Sequence, residues 1–554
     1  MSELENRAWS SIDQALKSRG FRFAATRGGQ TSYRGRLSSG KTVVPIRIAI
    51  DDPLMMPPPQ VFIEDEAIRG RIRAHVNEDD SFCYAEAQVE EYDLYNGGGA
   101  ILRVLESVKT TLDQVLHGST TDDLQREFIA YWKPETFLHS DLPSGFQGPA
   151  VSVDWVRDER HGKLVTTVDR AKRWQQPKSK TGSAFVIRVD RPLNTVMAGG
   201  PGKSLASLRA WLGSFVDDLG ALNTALSSDV IDGGTLVVVA PNGSVGATFC
   251  WPEVAKIAFK KAPLVRRMRA IARGEAGMVL ERSVTDSLAL PDLVNARLAE
   301  PSALLGKSIA VVGAGAIGSR VCLELARCGA GAESSPLLIV DPDLYQAVNF
   351  PRHVLPISAV RTSKAQAMAD EVRRLHPALT VEFAPLDVFK ILQRVARYDL
   401  VIDATGSNPV GLRLNAEAFE ARRQGNTFPP ILHASIHGNG LAVQTVLVTP
   451  TAHACLKCLR PEHGEFKANP LKPGVQTQFT SAACGDGAHV TYAATAPALA
   501  AALVVQAVLE WADDPAAPGP RVRSRVLDPE RANAPKDRSW GQDAQCPACG
   551  LRPE

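Results

Sequence analysis

At 554 residues the chain is longer than one hydrophobic core usually supports, so two to four domains are expected. Its 44% apolar and 22% charged residues are ordinary for a globular protein, and a formal net charge of +2 argues against a dominant electrostatic partner such as nucleic acid or an anionic membrane. No apolar run reaches the ~20 residues of a membrane span, and the opening MSELENRAWSSIDQ carries no charged-then-apolar leader. A cytoplasmic location is the expectation. Nine cysteines, unevenly placed, do not suggest a disulfide scaffold, which leaves metal binding or catalysis as their use in a reducing compartment.

Residues 1–118 read as a compact α+β module. An amphipathic helix runs through AWSSIDQALKSRG, strand-like runs follow at SYRGRL, TVVPIRIAI and QVFIED, and GAILRVLESVKTTLDQVL has apolar residues at helical spacing. HGSTTDD at 117–123 is linker-like. Residues 124–290 hold strand-like AFVIRVD and TLVVVAP and a helix at SLASLRAWLGSFVDDL, with no motif that carries chemistry. They read as an α/β linker or scaffold domain. From 291 to 554 strands and helices alternate, the pattern of a mostly parallel sheet: SIAVVGAGAIGSRVCLELARCGAG, PLLIVDPD, SKAQAMADEVRRLHP, YDLVIDATGSN and a later apolar helix, ATAPALAAALVVQAVLEWAD.

Gly313-x-Gly315-x-x-Gly318 follows an apolar strand and opens a helix. Glycine permits the tight turn and the close approach of phosphate, while the helix N-terminus supplies N–H donors. Asp341, ending the next strand, suits a ribose hydroxyl, and up to this point NAD and ATP fit equally well. The following segment, VDPDLYQAVNFPRHVL, resembles the motif of the ubiquitin-activating (E1-type), ThiF and MoeB adenylating family, with Asp341, Asp343, Asn349 and Arg352 at the family's spacing. Lys364 matches its lysine at the start of the next helix, and DATGSNPVGLRLN resembles its third motif through Asn408, Arg413 and Asn415. Hydride transfer has no need for Arg and Lys beside the glycine loop, whereas the β and γ charges of a triphosphate must be neutralised as the α-phosphorus is attacked. The resemblance therefore implies ATP and Mg2+. One position departs: the family's third motif has a second, Mg2+-holding Asp where this chain has Gly406, leaving Asp403 as the local carboxylate.

Cys455-x-x-Cys458 and Cys546-x-x-Cys549 have the spacing of a tetrahedral structural Zn2+ site with no open position, and match the zinc site of many members of the same family. Cys484, in TSAACGDGAHVTYAA, lies where E1-type enzymes carry their thioester-forming cysteine, with Gly485 and Gly487 to let the loop move. The plainer alternative is a small buried apolar residue, and that is how Cys322, Cys328 and Cys250 read. Cys83 is a second candidate. PLMMPPPQVFIED followed by RAHVNEDDSFCYAEA resembles ubiquitin-conjugating (E2-type) domains, with His75-Val76-Asn77 in place of His-Pro-Asn and Cys83 slightly early. There Asn77 would hydrogen-bond the oxyanion as a lysine attacks the thioester; the alternative is an ordinary strand cysteine beside a polar turn.

Together the resemblances imply an α/β multidomain protein. It has an N-terminal E2-like domain (1–118), a linker domain (124–290) and a C-terminal Rossmann-like ThiF/E1 adenylation domain (291–554), like the bacterial fusions of antiphage (CBASS-type) operons. They imply a relay in which a partner's C-terminal carboxylate is adenylated, taken by Cys484, passed to Cys83 and ligated to a target amine. The partner would be a ubiquitin-like protein or a cGAS-like nucleotidyltransferase, and the enzyme a homodimer, with Arg282 or Arg297 available to a neighbouring nucleotide. A sulfur-carrier adenylyltransferase of ThiF or MoeB type, or a scaffold with a degenerate nucleotide site, are the rival readings.

Overall fold

The computed structural model describes residues 2–71, 75–77, 79–84, 92–117, 125, 128–132, 134–157, 160–174, 181–194, 202–217, 219–220, 233–251, 262–450, 453–462, 466–480, 489–516, 519–533 and 536–550. Cys484, Gly485 and Gly487 lie outside these residues, as do residues 118–123 of the linker-like stretch. The chain divides into two units. One comprises Met1–Leu138, Gly145–Lys163 and Thr181–Asp286, and the other His139–Ser144, Leu164–Lys180 and Ser287–Glu554.

In the first unit, helix α1 (Glu3–Ser18) starts at a capping box formed by Ser2 and Glu5. Strands β1 (Arg22–Arg27), β2 (Gln30–Ser39), β3 (Thr42–Ile50) and β4 (Gln60–Ile63) form an antiparallel meander, followed by α2 (Glu66–Arg71) and α3 (Gly97–His117). Ile12 and Leu16 of α1 meet Ile101, Val104, Val108 and Leu112 of α3 over Val44, Ile46 and Ile48 of β3. The helices approach closely because Gly98 has no Cβ: one would lie 2.6 Å from the Ser11 hydroxyl, which accepts the Gly98 amide. Strand β1 was not legible, since RFAATR is exposed almost throughout and shows no apolar alternation.

The middle segment opens with α4 (Phe128–Trp132). Its strands β5 (Thr136–Asp141), β6 (Gly148–Arg157), β7 (Arg160–Thr166), β8 (Thr181–Arg188), β9 (Gly233–Ala240), β10 (Gly243–Cys250) and β11 (Leu280–Ser287) close into a barrel in the order β10-β11-β5-β7-β6-β8-β9. Helices α5 (Leu205–Leu212) and α6 (Leu264–Gly274) complete it. An aromatic cluster of Phe128, Trp132, Trp211 and Phe215 fills one side, with Trp132 and Trp211 ring centroids 5.5 Å apart and their indole N–H groups donating to Ser283 and Asn194 carbonyls. Cys250, read from sequence as core, is exposed. It ends β10 directly after buried Phe249, and the strand's alternation turns it outward.

The second unit is a seven-stranded sheet, ordered β14-β13-β12-β15-β16-β17-β20. Strands β12 (Ile309–Val312), β13 (Leu337–Val340), β14 (Val381–Ala384), β15 (Leu400–Asp403) and β16 (Ile431–His437) run parallel, and β17 (Ala442–Val448) pairs antiparallel with both β16 and β20 (Val522–Val526). A two-stranded ladder, β18 (Phe479–Thr480) with β19 (His489–Val490), stands apart. Alternate residues of β12 feed two layers. Ile309 and Val311 join a core with α7 (Ala316–Arg327), α8 (Lys364–Leu375) and the apolar α11 (Thr495–Asp513). Ala310 and Val312 face Leu414 and Ala418 of α9 (Asn408–Arg423). A short α10 (Leu456–Leu459) is capped by Cys455 and holds Cys458. At 19 residues α11 has the length and apolarity of a membrane-crossing helix, but Val504, Val508 and Trp511 are buried in this core. Strand order reverses at β12, which opens a crevice at the carboxyl ends of β12, β13 and β15.

Candidate active site

The glycine loop spans that crevice. Gly313 adopts φ +91°, and a Cβ there would sit 2.9 Å from the Thr405 amide; a Cβ on Gly318 would meet the Gly313 carbonyl at 1.8 Å. Gly315 faces open space, the vacancy a phosphate approaching the N-terminus of α7 requires. Buried Asp341 holds the loop, accepting from the Ala314 amide at 2.7 Å and the Asp343 amide at 2.8 Å, and its burial pushes its carboxyl above the usual range.

Two cavities meet along this loop. One of about 320 Å³ is lined by Gly313, Asp341, Asp343, Val388 and Phe389, and suits a nucleoside. The other, about 490 Å³, is lined by Asn349, Arg352, His353, Gly406 and Ser407. Gly315, Lys364, Ala404 and Thr405 belong to both. Lys364 Nζ lies 2.9 Å from Asp343 Oδ2. Arg352 lies over the Tyr492 ring at 5.0 Å and donates to the Val490 carbonyl at 3.3 Å. Asn349 accepts the Gln346 amide through Oδ1. Arg413 stacks on Phe389 at 3.9 Å, backing the nucleoside cavity.

Two residues, one lining this wall and one behind it, were missed from sequence. His353 Nδ1 accepts the Leu355 amide at 3.0 Å, so its proton sits on Nε2, which donates to the Ala314 carbonyl at 2.7 Å. Burial pushes its pKa down to about 4, and the neutral ring props the glycine loop from behind. His433 donates from Nδ1 to Asp403 Oδ2 at 2.8 Å, while Asp403 Oδ1 accepts the Thr405 amide and hydroxyl. Asp403 therefore orients the Thr405–Gly406 turn and lines neither large cavity. Neither histidine has a pattern a sequence could reveal, since a lone His beside a motif more often fills a core.

The four paired cysteines converge. Cys455 Sγ is 3.8 Å from Cys458 and 3.7 Å from Cys546, Cys458 is 3.3 Å from Cys549, and all four sulfurs lie within 4.8 Å of one another. Four Zn–S bonds of ~2.3 Å in a tetrahedron set sulfurs ~3.8 Å apart, so the cluster is compatible with structural zinc. Burial pushes the Cys455 thiol up to about 12, a cost a cation removes. Asn415 ties the cluster to α9, accepting the Leu456 amide at 3.0 Å and donating to Cys455 Sγ at 3.7 Å.

In the first unit, His75 and Cys83 oppose each other across a turn. The Cys83 amide donates to the His75 carbonyl at 2.8 Å, and His75 Nδ1 lies 3.2 Å from the Cys83 carbonyl. Asn77 Nδ2 donates to Ser81 Oγ at 2.9 Å, so its amide is engaged on the turn itself. Cys83 is half-buried and in no disulfide.

The ThiF family model matches residues 292–547, and that of Prokaryotic E2 family B matches residues 7–138. The chain is similar to the ATP-dependent ubiquitin transferase-like protein Cap2 of Pseudomonas aeruginosa, 26% identical over 98% of this chain and 99% of that protein. A protein of the same name from Escherichia coli is 23% identical over 86% of each. The SAMP-activating enzyme E1 of Haloferax volcanii is 34% identical over 29% of this chain and 56% of its own.

Proposed function

Because the chain is an E1-like adenylating enzyme fused to an E2-like domain, we propose that it activates the C-terminal carboxylate of a partner protein and conjugates it to an amine in two thioester steps. A carboxylate oxygen of the partner attacks the α-phosphorus of ATP and pyrophosphate leaves. The Cys484 thiolate then attacks the acyl carbon and expels AMP, and Cys83 takes the acyl group by thiol exchange. A target amine displaces Cys83, with the Asn77 N–H that is not given to Ser81 donating to the oxyanion. Residues 1–118 would carry conjugation, 124–290 would link, and 291–554 would activate.

The observation that carries this reading is the wall shared by the two cavities. A nucleoside beside Asp341 and Phe389 brings its α-phosphate to Gly315 and Lys364, and the adjoining cavity holds Arg352 and Asn349 for the outer phosphates and room for a chain terminus. A Mg2+ ion arriving with ATP finds no carboxylate at 406, and the Asp403 oxygens already serve Thr405 and His433, so phosphate oxygens and waters would supply its coordination. Cys455, Cys458, Cys546 and Cys549 would hold Zn2+ as a structural staple.

A role in antiphage defence and a cytoplasmic location are proposed, with a ubiquitin-like protein or a cGAS-like nucleotidyltransferase as the activated partner; the similarity to an ATP-dependent ubiquitin transferase-like protein over 98% of the chain supports the conjugating chemistry. A homodimer is proposed. Arg282 lies over Trp132 and donates to the Trp132 and Gly202 carbonyls, so of the two arginines considered for a neighbouring nucleotide, exposed Arg297 is the one we favour. A sulfur-carrier adenylyltransferase would leave the E2-family match over 7–138 without a role. Partner-dependent exchange of pyrophosphate into ATP tests the activation step: exchange requiring the partner's free C-terminus supports it, and no exchange with any such partner removes it.

A further inference from the structure

The two cations beside the glycine loop are held in different ways. Lys364 sits 2.9 Å from Asp343, so its charge is already partly neutralised. Arg352 has no carboxylate partner among the described residues. It donates to the Val490 carbonyl at 3.3 Å, and its guanidinium lies over the Tyr492 ring at 5.0 Å from the centroid. An aromatic face and a carbonyl orient a guanidinium without cancelling its charge. An anion arriving at Arg352 therefore has no ion pair to break.

Tyr492 is itself held from behind. It lines the larger cavity together with Arg352, Gly315 and Lys364. The turn between β16 and β17 backs it at Gly440, which adopts φ +85°; a Cβ there would lie 3.0 Å from the Tyr492 Cβ and 3.3 Å from the Ala496 Cβ. Only glycine lets the turn come this close. In the same turn Asn439 donates from Nδ2 to the carbonyl and hydroxyl of Thr491 at 3.1 and 3.0 Å, which fixes the backbone next to Tyr492. Burial pushes the Tyr492 phenol above its ordinary value against the pull of Arg352, so the ring under the guanidinium stays neutral.

We propose that Tyr492 is a positioning residue for nucleotide activation: its ring, braced by the β16–β17 turn, holds Arg352 in the larger cavity at full charge for the outer phosphates of ATP. Lys364 must leave Asp343 to do the same work, whereas Arg352 is set in place beforehand, and a group placed before binding loses less freedom when the ligand arrives. The inference rests on the reading of the two cavities as an ATP site, and it adds a residue that contributes only an aromatic face.

Competition against mant-ATP on the full chain gives the affinities of ATP and adenosine, with the thermal midpoint alongside. Tyr492→Leu and Tyr492→Met both remove the ring, and each is expected to weaken ATP about threefold to thirtyfold while adenosine stays within about twofold and the midpoint holds. Tyr492→Phe keeps the ring and should bind ATP as the wild type does. In an Arg352→Met background Tyr492→Leu should cost less than about twofold more, because its effect passes through Arg352. Wild-type ATP affinity in both ring-less variants overturns the positioning role alone. So does equal weakening of adenosine, a loss in Tyr492→Phe as large as in Tyr492→Leu, or losses that multiply in the double variant. Wild-type protein that binds ATP no more tightly than adenosine overturns the placement of the outer phosphates, and the role of Tyr492 with it.

Discussion

Lys364→Met removes one cation from the wall between the two cavities while keeping the side chain's length. In the free protein the Lys364 side chain is 12% exposed, and its partner Asp343 is 65% exposed. An ion pair with one member so open contributes ~0–1 kcal/mol, so folding stability should change little. A bound triphosphate alters the balance. A phosphate oxygen ~4 Å from Nζ gains about 4 kcal/mol at an effective dielectric of ~20. Freeing Lys364 from Asp343 returns ~1 kcal/mol of that, which leaves about 3 kcal/mol, or roughly a hundredfold in Kd. The variant also leaves the Asp343 carboxylate uncompensated near the phosphates, which adds repulsion in the same direction. Adenosine has no phosphates and should lose less than ~threefold. Competition against mant-ATP measures both affinities, with the thermal midpoint as control. Equal weakening of ATP and adenosine, or an ATP loss below about fivefold, would refute the placement of the triphosphate on Lys364.

Gly315→Ala and Gly318→Ala should separate binding from folding. The first adds a methyl group in open space where a phosphate approaches, so ATP affinity falls about tenfold or more while the thermal midpoint holds. The second drives a Cβ into the Gly313 carbonyl, so the midpoint falls and little protein is recovered folded; equal behaviour of the two variants in both assays contradicts the loop geometry. Cys455→Ser should reduce bound zinc from about one ion per chain to near none and lower the midpoint by roughly 5–10 °C, measured by elemental analysis and calorimetry. Unchanged metal content would exclude the four-cysteine site. His353 has a folded pKa near 4 against 6.5 when unfolded, so the unfolded chain binds this proton first as pH falls. Its contribution is therefore nil above pH 6.5 and becomes a loss of up to about 3 kcal/mol as pH drops from 6.5 to 4. Denaturant melts of wild type and His353→Phe across that window should differ in slope, and parallel slopes would mean that His353 is not buried as a neutral ring.

What was legible in the sequence was local or motif-bound. Gly313, Gly315 and Gly318 sit between an apolar strand and a helix, and the structure places them in that turn; Asp341, Asn349, Arg352 and Lys364 gather around it from three separate segments. The two cysteine pairs could be joined across some ninety intervening residues because tetrahedral thiolate coordination needs four ligands, and few other sulfurs stand in pairs. The barrel was not legible. Its closure depends on β8 lying parallel to β9 and on β5 joining β11, pairings between distant residues that no local pattern encodes. His353 and His433 escaped for a related reason. Each acts through hydrogen bonds to residues remote in sequence or to backbone groups, and their side chains alone show neither partner nor purpose. For the Gly438–Asn439–Gly440 turn a signal did exist, since Gly-Asn-Gly between two strand-like runs marks a left-handed turn.

Non-reducing electrophoresis of the full chain with ATP, Mg2+ and a partner bearing a free C-terminus tests the relay most directly. Two thiol-labile adducts are predicted in the wild type. Cys484→Ala should lose both, and Cys83→Ala should lose one while accumulating the other. An ATP-dependent adduct that survives in Cys484→Ala, or conjugation that proceeds undiminished in Cys83→Ala, would contradict the assignment of the two cysteines.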